Sequence, residues 1–185
     1  MLLTKINPGN ILIAEPIKTN DISFQRSVIM VANHDKKGSV GFIMNKPLTY
    51  TLSDIVPAVV EDYRIFNGGP VEKDNLYFIH NVPDLIPDSI EIAEGIYWGG
   101  SFDVIIDLII NNKITQENVK FFLGYTGWSK GQLEEEIELN SWVAKKSDLQ
   151  SIISEPSIDY WKNEIQSLGG DYLLWMNAPE DPTFN

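Results

Sequence analysis

A chain of 185 residues, 43% hydrophobic and 11% aromatic, has the material for a sizeable core in one domain, which excludes general disorder. Fourteen Lys and Arg stand against 26 Asp and Glu, so the formal net charge is −12; such a surface repels polyanions and argues against direct nucleic-acid binding. With no cysteine in the chain, disulfides, thiolate chemistry and Cys-based metal sites are excluded, and a reducing compartment fits.

From the N-terminus, Ile11-Leu12-Ile13-Ala14 is broken off by Glu15-Pro16, far short of the ~7–15 apolar residues of a signal peptide. The cytoplasm is therefore the expected location. The first half reads as strands over Asn10–Glu15, Ser27–Asn33, Gly38–Asn45, Tyr63–Asn67, Leu76–His80 and Ile90–Trp98, rich in Ile, Val, Phe and Tyr and punctuated by Gly, Pro, Asn and Asp. Ser27–Asn33 and Gly38–Asn45 suit a hairpin, because residues 33–38 supply turn chemistry ending in a glycine. Thr51–Tyr63 reads as one short helix interrupted by Pro57.

The second half opens with a helix over Ser101–Asn112, where Phe102, Ile105, Ile106, Ile109 and Ile110 recur at helical spacing behind Ser101 as N-cap. Asp107 and the polar flanks keep this segment short of the ~20 apolar residues of a membrane span. Val119–Tyr125 follows as a buried strand, Ser129–Asn140 as an acidic helix with Leu133 and Ile137 inward and Glu134, Glu135, Glu136 and Glu138 mostly outward, and Trp142–Lys145 as a strand. Ser147 caps a short helix, and a last helix runs from about Ile158 to Leu168, stopped by Gly169-Gly170. Residues 171–185 form a tail. Strands first and helices later predict one α+β domain over 1–185, its sheet largely antiparallel and either open or closed toward a barrel, flanked by helices.

Chemistry-bearing patterns are sparse. His34 and His80 are the two histidines, and neither sits in the spacing of a zinc or iron site, so no metal and no cofactor are expected. Ser27 lacks a G-x-S-x-G elbow. Gly68-Gly69-Pro70-Val71, Gly99-Gly100-Ser101 and Gly124-Tyr-Thr-Gly127-Trp128 follow strands, places that let a ligand approach the backbone, although for any one alone plain turn chemistry is the favoured reading. The second of these leads into a helix N-terminus and would favour an anion. No glycine pattern matches a nucleotide-binding loop.

Phe24-Gln25-Arg26-Ser27-Val28, His34, Gly41-Phe-Ile-Met-Asn45-Lys46-Pro47, Gly68-Gly69-Pro70-Val71, His80, Gly124-Tyr-Thr-Gly-Trp128-Ser-Lys-Gly131-Gln-Leu-Glu134-Glu-Glu136 and Trp142 together resemble the AlgH/YqgE family of bacterial proteins over nearly the whole chain. The resemblance implies a compact α+β fold and little chemistry. That family is named for a link to alginate regulation and many members carry the label of transcriptional regulator, yet neither a helix-turn-helix pattern nor the charge for DNA contact is present here. Thr126 departs from the small residue, such as Ala, common at its position. The polar and glycine positions carried over as a candidate ligand cleft are Arg26, Asn45, Gly68, Gly69, His80, Gly127, Gln132 and Glu134, with Trp128 beside them as packing or lid.

The expectation is a non-catalytic regulatory protein that binds a small ligand or a protein partner, with no direct nucleic-acid contact and no membrane. The alternative is a hydrolase-like enzyme in which His80 or Glu134 serves as base with Arg26 or the Gly68-Gly69 amides stabilising charge. It requires those groups to meet in one pocket.

Overall fold

The computed structural model describes residues 5–16, 22–146, 148, 152–153 and 159–178. Among the described residues ten strands are present: β1 Asn10–Ala14, β2 Val28–Asp35, β3 Gly38–Ile43, β4 Pro47–Thr51, β5 Arg64–Asn67, β6 Val71–His80, β7 Ile90–Ala93, β8 Ile96–Trp98, β9 Val119–Ser129 and β10 Trp142–Lys146. Helices α1 Leu52–Ile55, α2 Phe102–Ile110, α3 Gln132–Glu138 and α4 Tyr160–Leu168 accompany them. Eight of the strands run in the order β10-β1-β2-β3-β9-β6-β8-β7, with β4 on β5 and β5 on β9 beside that path. The pairing is antiparallel except for β5 against β9. The path ends at β10 and β7, so the sheet is open and the barrel option falls away.

The continuous apolar runs of β1 and β2 follow from burial on both faces. Ile11, Ile13, Val28 and Met30 enter the cluster completed by Trp161 and Ile165 of α4. Their neighbours Leu12, Ala14, Ile29 and Val31 enter the opposite cluster, with Leu133 of α3. In β9, Phe122 joins the first cluster, whereas Phe121 packs with Ile105, Ile106 and Ile109 of α2. Helices on both sides of the central strands therefore remove the usual alternation with polar residues.

Most predicted elements stand at their places, β4 is an addition and β6 begins earlier, at Val71, and others differ for local reasons. Residues 90–98 fold back on themselves as the β7–β8 hairpin, since Glu94 and Gly95 both take positive φ, the conformation a tight hairpin turn needs. The expected helix over Thr51–Tyr63 shrinks to α1: Pro57 keeps Val56 out of helical backbone, at φ −120° and ψ 89°, and Thr51 belongs to β4. β9 runs on to Ser129 rather than ending at Tyr125, because Gly38–Gly41 of β3 pair with Thr126–Ser129. The predicted hairpin of β2 and β3 closes at Asp35 and Gly38. After α4, residues 170–177 form a 3-10 helix, in place of an irregular tail. Of the short helix expected after Ser147, Ile152 and Ile153 are helical, whereas Ser147 itself, the start of the last helix at Ile158 and the chain beyond Ala178 lie outside the described residues. Among those described, no helix is long and apolar enough to cross a membrane.

Candidate functional site

Gly68 and Gly69 sit where β9 changes partners, from β5 at Phe121–Leu123 to β3 at Thr126–Ser129. The backbones approach so closely that a Cβ on Gly68 would lie 2.2 Å from the Gly124 carbonyl oxygen, and one on Gly69 would lie 2.3 Å from the Tyr125 carbonyl. Their amides are engaged, Gly68 N donating to Leu123 O at 2.8 Å and Gly69 N to Asn67 Oδ1 at 3.1 Å. These two positions hold the fork in the sheet together, and their N–H groups do not face an open space. Gly127 is exposed in β9 and needs no such closeness, since a Cβ there would meet nothing nearer than 3.4 Å.

The segment from Trp128 to Glu136 is a hydrogen-bonded brace. Glu136 Oε2 accepts from Trp128 Nε1 at 2.9 Å and from Trp142 Nε1 at 2.7 Å, while its Oε1 accepts from Gln132 Nε2 at 2.9 Å. Gln132 Oε1 in turn accepts from the Ser129 amide at 3.0 Å. Glu136, expected to face outward, is the hub. Its place on α3, four residues after Gln132 and one turn closer to β10, turns it toward both indoles. Glu134 is exposed, and the nearest charge partner is His34 Nε2 at 3.6 Å.

His80 is fully buried at the end of β6, its ring stacked on Tyr97 at 5.9 Å. Nδ1 accepts from the Val82 amide at 3.3 Å, which puts the ring proton on Nε2, a buried atom. Burial pushes the imidazole below its ordinary value, opposed by the neighbouring Gly99 carbonyl. Beside it, Leu76, Phe78, Trp98, Gly99 and Phe102 line an apolar groove of about 430 Å³. The α2 N-terminus offers less to an anion than Gly99-Gly100-Ser101 implies: Gly99 N donates to Phe78 O at 3.1 Å, Ser101 N to Pro87 O at 3.2 Å and Val104 N to the capping Ser101 Oγ at 3.5 Å.

Arg26 and Asn45 come together at a different place. Asn45 Oδ1 accepts from the Val28 amide and its Nδ2 donates to the Arg26 carbonyl, both at 2.9 Å, clamping a turn in which Arg26 takes φ 51°. That left-handed backbone costs a non-glycine residue about 1 kcal/mol. It sends the guanidinium across Trp161 of α4, with Cζ 5.3 Å from the ring centroid, and Nη2 donates to the Ala178 carbonyl at 2.5 Å. Lys46 Nζ donates to Ser23 O at 2.6 Å. Gln25, Arg26, Asn45, Lys46, Trp161 and Lys162, with Asp159 at the rim, surround a concavity of about 200 Å³.

The candidate residues thus divide among four places. Arg26 and Asn45 share one cavity; Gly68 and Gly69 knit the strand fork; Trp128, Gln132 and Glu134 belong to the α3 brace; His80 is enclosed near the groove. The described contacts give Arg26, His80 and Glu134 different neighbours: Trp161 and Ala178 for Arg26, Val82 and Tyr97 for His80, and His34 for Glu134. Sequence reasoning passed over Gln25, Lys46, Trp161 and Lys162 as site residues. It had no means of joining residues 25–46 to 159–162, which only the packing of α4 against β1 and β2 brings together.

Comparison with known proteins agrees with the fold and the motifs. The profile of a family described as AlgH-like matches residues 11–173. A UPF0301 protein of Parabacteroides distasonis is 39% identical over 180 residues, covering 96% of this chain and 90% of its own, and one from Cytophaga hutchinsonii is 36% identical with 100% of both chains covered. In three dimensions, the solution structure of AlgH from Pseudomonas aeruginosa superposes with a TM-score of 0.71 at 24% identity over 93% of this chain and 94% of that one. A crystal structure of a Corynebacterium diphtheriae protein gives 0.74 at 19% identity over 95% and 94%. Shared motifs along the chain, a profile spanning most of its length and relatives matched nearly end to end converge on one assignment: this chain belongs to the AlgH-like family.

Proposed function

We propose that this protein is a non-catalytic ligand-binding protein whose site is the concavity between the Arg26 turn and the start of α4. The observation that carries the reading is the convergence of Arg26 and Asn45 with Gln25, Lys46, Trp161 and Lys162 around one space of about 200 Å³. Asn45 spends both ends of its side chain on fixing the Arg26 turn, and a strained, clamped residue facing a cavity is the arrangement that pre-organises a binding group. Any regulatory effect runs through occupancy of this site or through a protein partner, in the cytoplasm and without direct nucleic-acid contact, as the net charge of −12 favours.

A thermal-shift screen of metabolites and nucleotides tests the reading. A ligand that binds the folded state at 100 times its Kd adds about 2.7 kcal/mol of stability, and the shift should be present in the parent protein and lost in Arg26→Gln. Hits that shift both proteins equally, or no hit across a broad panel, would remove the site.

A further inference from the structure

We infer that the apolar groove beside β8 binds a flat nitrogen heterocycle of the nucleobase type, without phosphate, at a site separate from the Arg26 concavity. β6 pairs with β8 only at Ile79 and His80, opposite Trp98 and Tyr97. Gly99 N donates to Phe78 O at 3.1 Å, and Gly99 and Gly100, at φ 69° and 100°, then turn the chain away toward α2. Alternate residues of an antiparallel strand aim their backbone groups at the same edge, so Leu76 faces the side that Phe78 faces. The residue due opposite Leu76 is Ser101, whose N–H goes instead to Pro87 O at 3.2 Å.

Among the described backbone bonds none takes the Phe78 N–H, and none reaches Leu76 from β8 or α2. Phe78 is only 4% exposed, and a buried amide without an acceptor is rare and costly. The Leu76 carbonyl and the Phe78 N–H thus stand side by side on one strand edge, an acceptor next to a donor. A ring that carries an N–H beside an unprotonated ring nitrogen, the edge that adenine and cytosine present, offers the complementary pair. Leu76, Phe78, Trp98 and Phe102 surround this edge with apolar and aromatic surface, on which a flat ring stacks. A Cβ on Gly99 would meet nothing within 4 Å, so that side of the groove is open to a ligand.

Size, edge length and charge narrow the occupant. The groove, at about 430 Å³, has room for roughly fourteen water-sized groups at about 30 Å³ each, which accommodates a fused pair of rings. A peptide added as a further strand needs a longer run of free backbone. Here the edge is closed by β8 from Ile79 onward and by the β6 bulge between Val71 and Leu76. That bulge carries Glu72 and Asp74 against Lys73, and Asp103 follows Phe102 in the first turn of α2. Three acids against one base repel a phosphate, so the charge complements a neutral or cationic ring and not a nucleotide.

Titration of the isotope-labelled full chain with adenine, cytosine, dimethylated adenine, AMP and indole, followed by calorimetry and by amide NMR spectra, tests the site. Adenine or cytosine should bind and move the Phe78 amide resonance. Dimethylated adenine, whose exocyclic N–H groups are gone, should bind at least tenfold more weakly than adenine, and AMP severalfold more weakly. Phe102→Leu, which keeps an apolar side chain but removes the ring, should lower the affinity for adenine severalfold. A ligand of the Arg26 concavity leaves the Phe78 amide where it is, so the two sites are read separately. Failure of both bases at millimolar concentration overturns the inference. Binding of indole as tight as that of adenine overturns it too, as does base binding that leaves the Phe78 amide unmoved. A short extended peptide that moves this resonance when no base does would assign the edge to strand addition instead.

Discussion

His80 and Thr126 are buried polar residues, and Thr126 Oγ1 has no hydrogen-bond partner among the described residues. For His80 the consequence is a pH dependence of known sign. Its folded pKa is depressed by burial, so an unfolded chain takes up the proton first as pH falls. The stability it contributes is whole above about pH 6.5, its unfolded value, and is lost as the pH falls through the lower folded value. Urea midpoints measured from pH 8 down to pH 5 should therefore drop more steeply for the parent than for His80→Gln; parallel curves would show that the ring titrates normally. For Thr126 the hydroxyl is a cost without a return. Thr126→Val keeps the shape and deletes the unpartnered group, and should stabilise the fold by about 1 kcal/mol in urea titration. A loss of stability would point to a bond this hydroxyl makes through water. The resemblance drawn from the motifs had already marked Thr126 as the unusual residue at its position, and its missing partner gives a physical reason for a smaller one there.

Among the elements, β9 organises the molecule. Its eleven residues face β6 along one edge and share the other between β5 and β3. Gly124, at φ 69°, bends it where the partners change, and Gly68-Gly69 fit against that bend. Gly68→Ala should thus cost at least the roughly 1–3 kcal/mol of an overpacked core, since the Gly124 carbonyl 2.2 Å from the new Cβ is backbone and has nowhere to move. Gly127→Ala, with 3.4 Å of clearance, should stay within about 0.5 kcal/mol of the parent. Equal costs in chemical denaturation would mean that the fork is looser than its geometry implies. Both glycines were legible as special in the sequence, but their roles were not, because the difference between them is a distance to a strand more than fifty residues away in one case and open solvent in the other. Glu136 teaches the same lesson in reverse: it read as one more solvated carboxylate in an acidic run, and becomes the acceptor for two indoles once β10 is laid beside α3.

At the level of the whole molecule, acidic residues outnumber basic ones 26 to 14, and that excess repels polyanions. A net charge of −12 was plain from composition, as were the identity and rough bounds of most strands and of α2, α3 and α4, because apolar periodicity and glycine or proline punctuation are local properties that a chain carries wherever it goes. Family membership was equally legible, through motifs spread along nearly the full length. The open sheet, the change of partner along β9 and the meeting of Arg26, Asn45 and Lys46 with Trp161 and Lys162 were not. They depend on which surfaces find each other over separations of more than fifty residues, and burial and hydrogen-bond geometry select those pairings only when the entire chain competes for them at once.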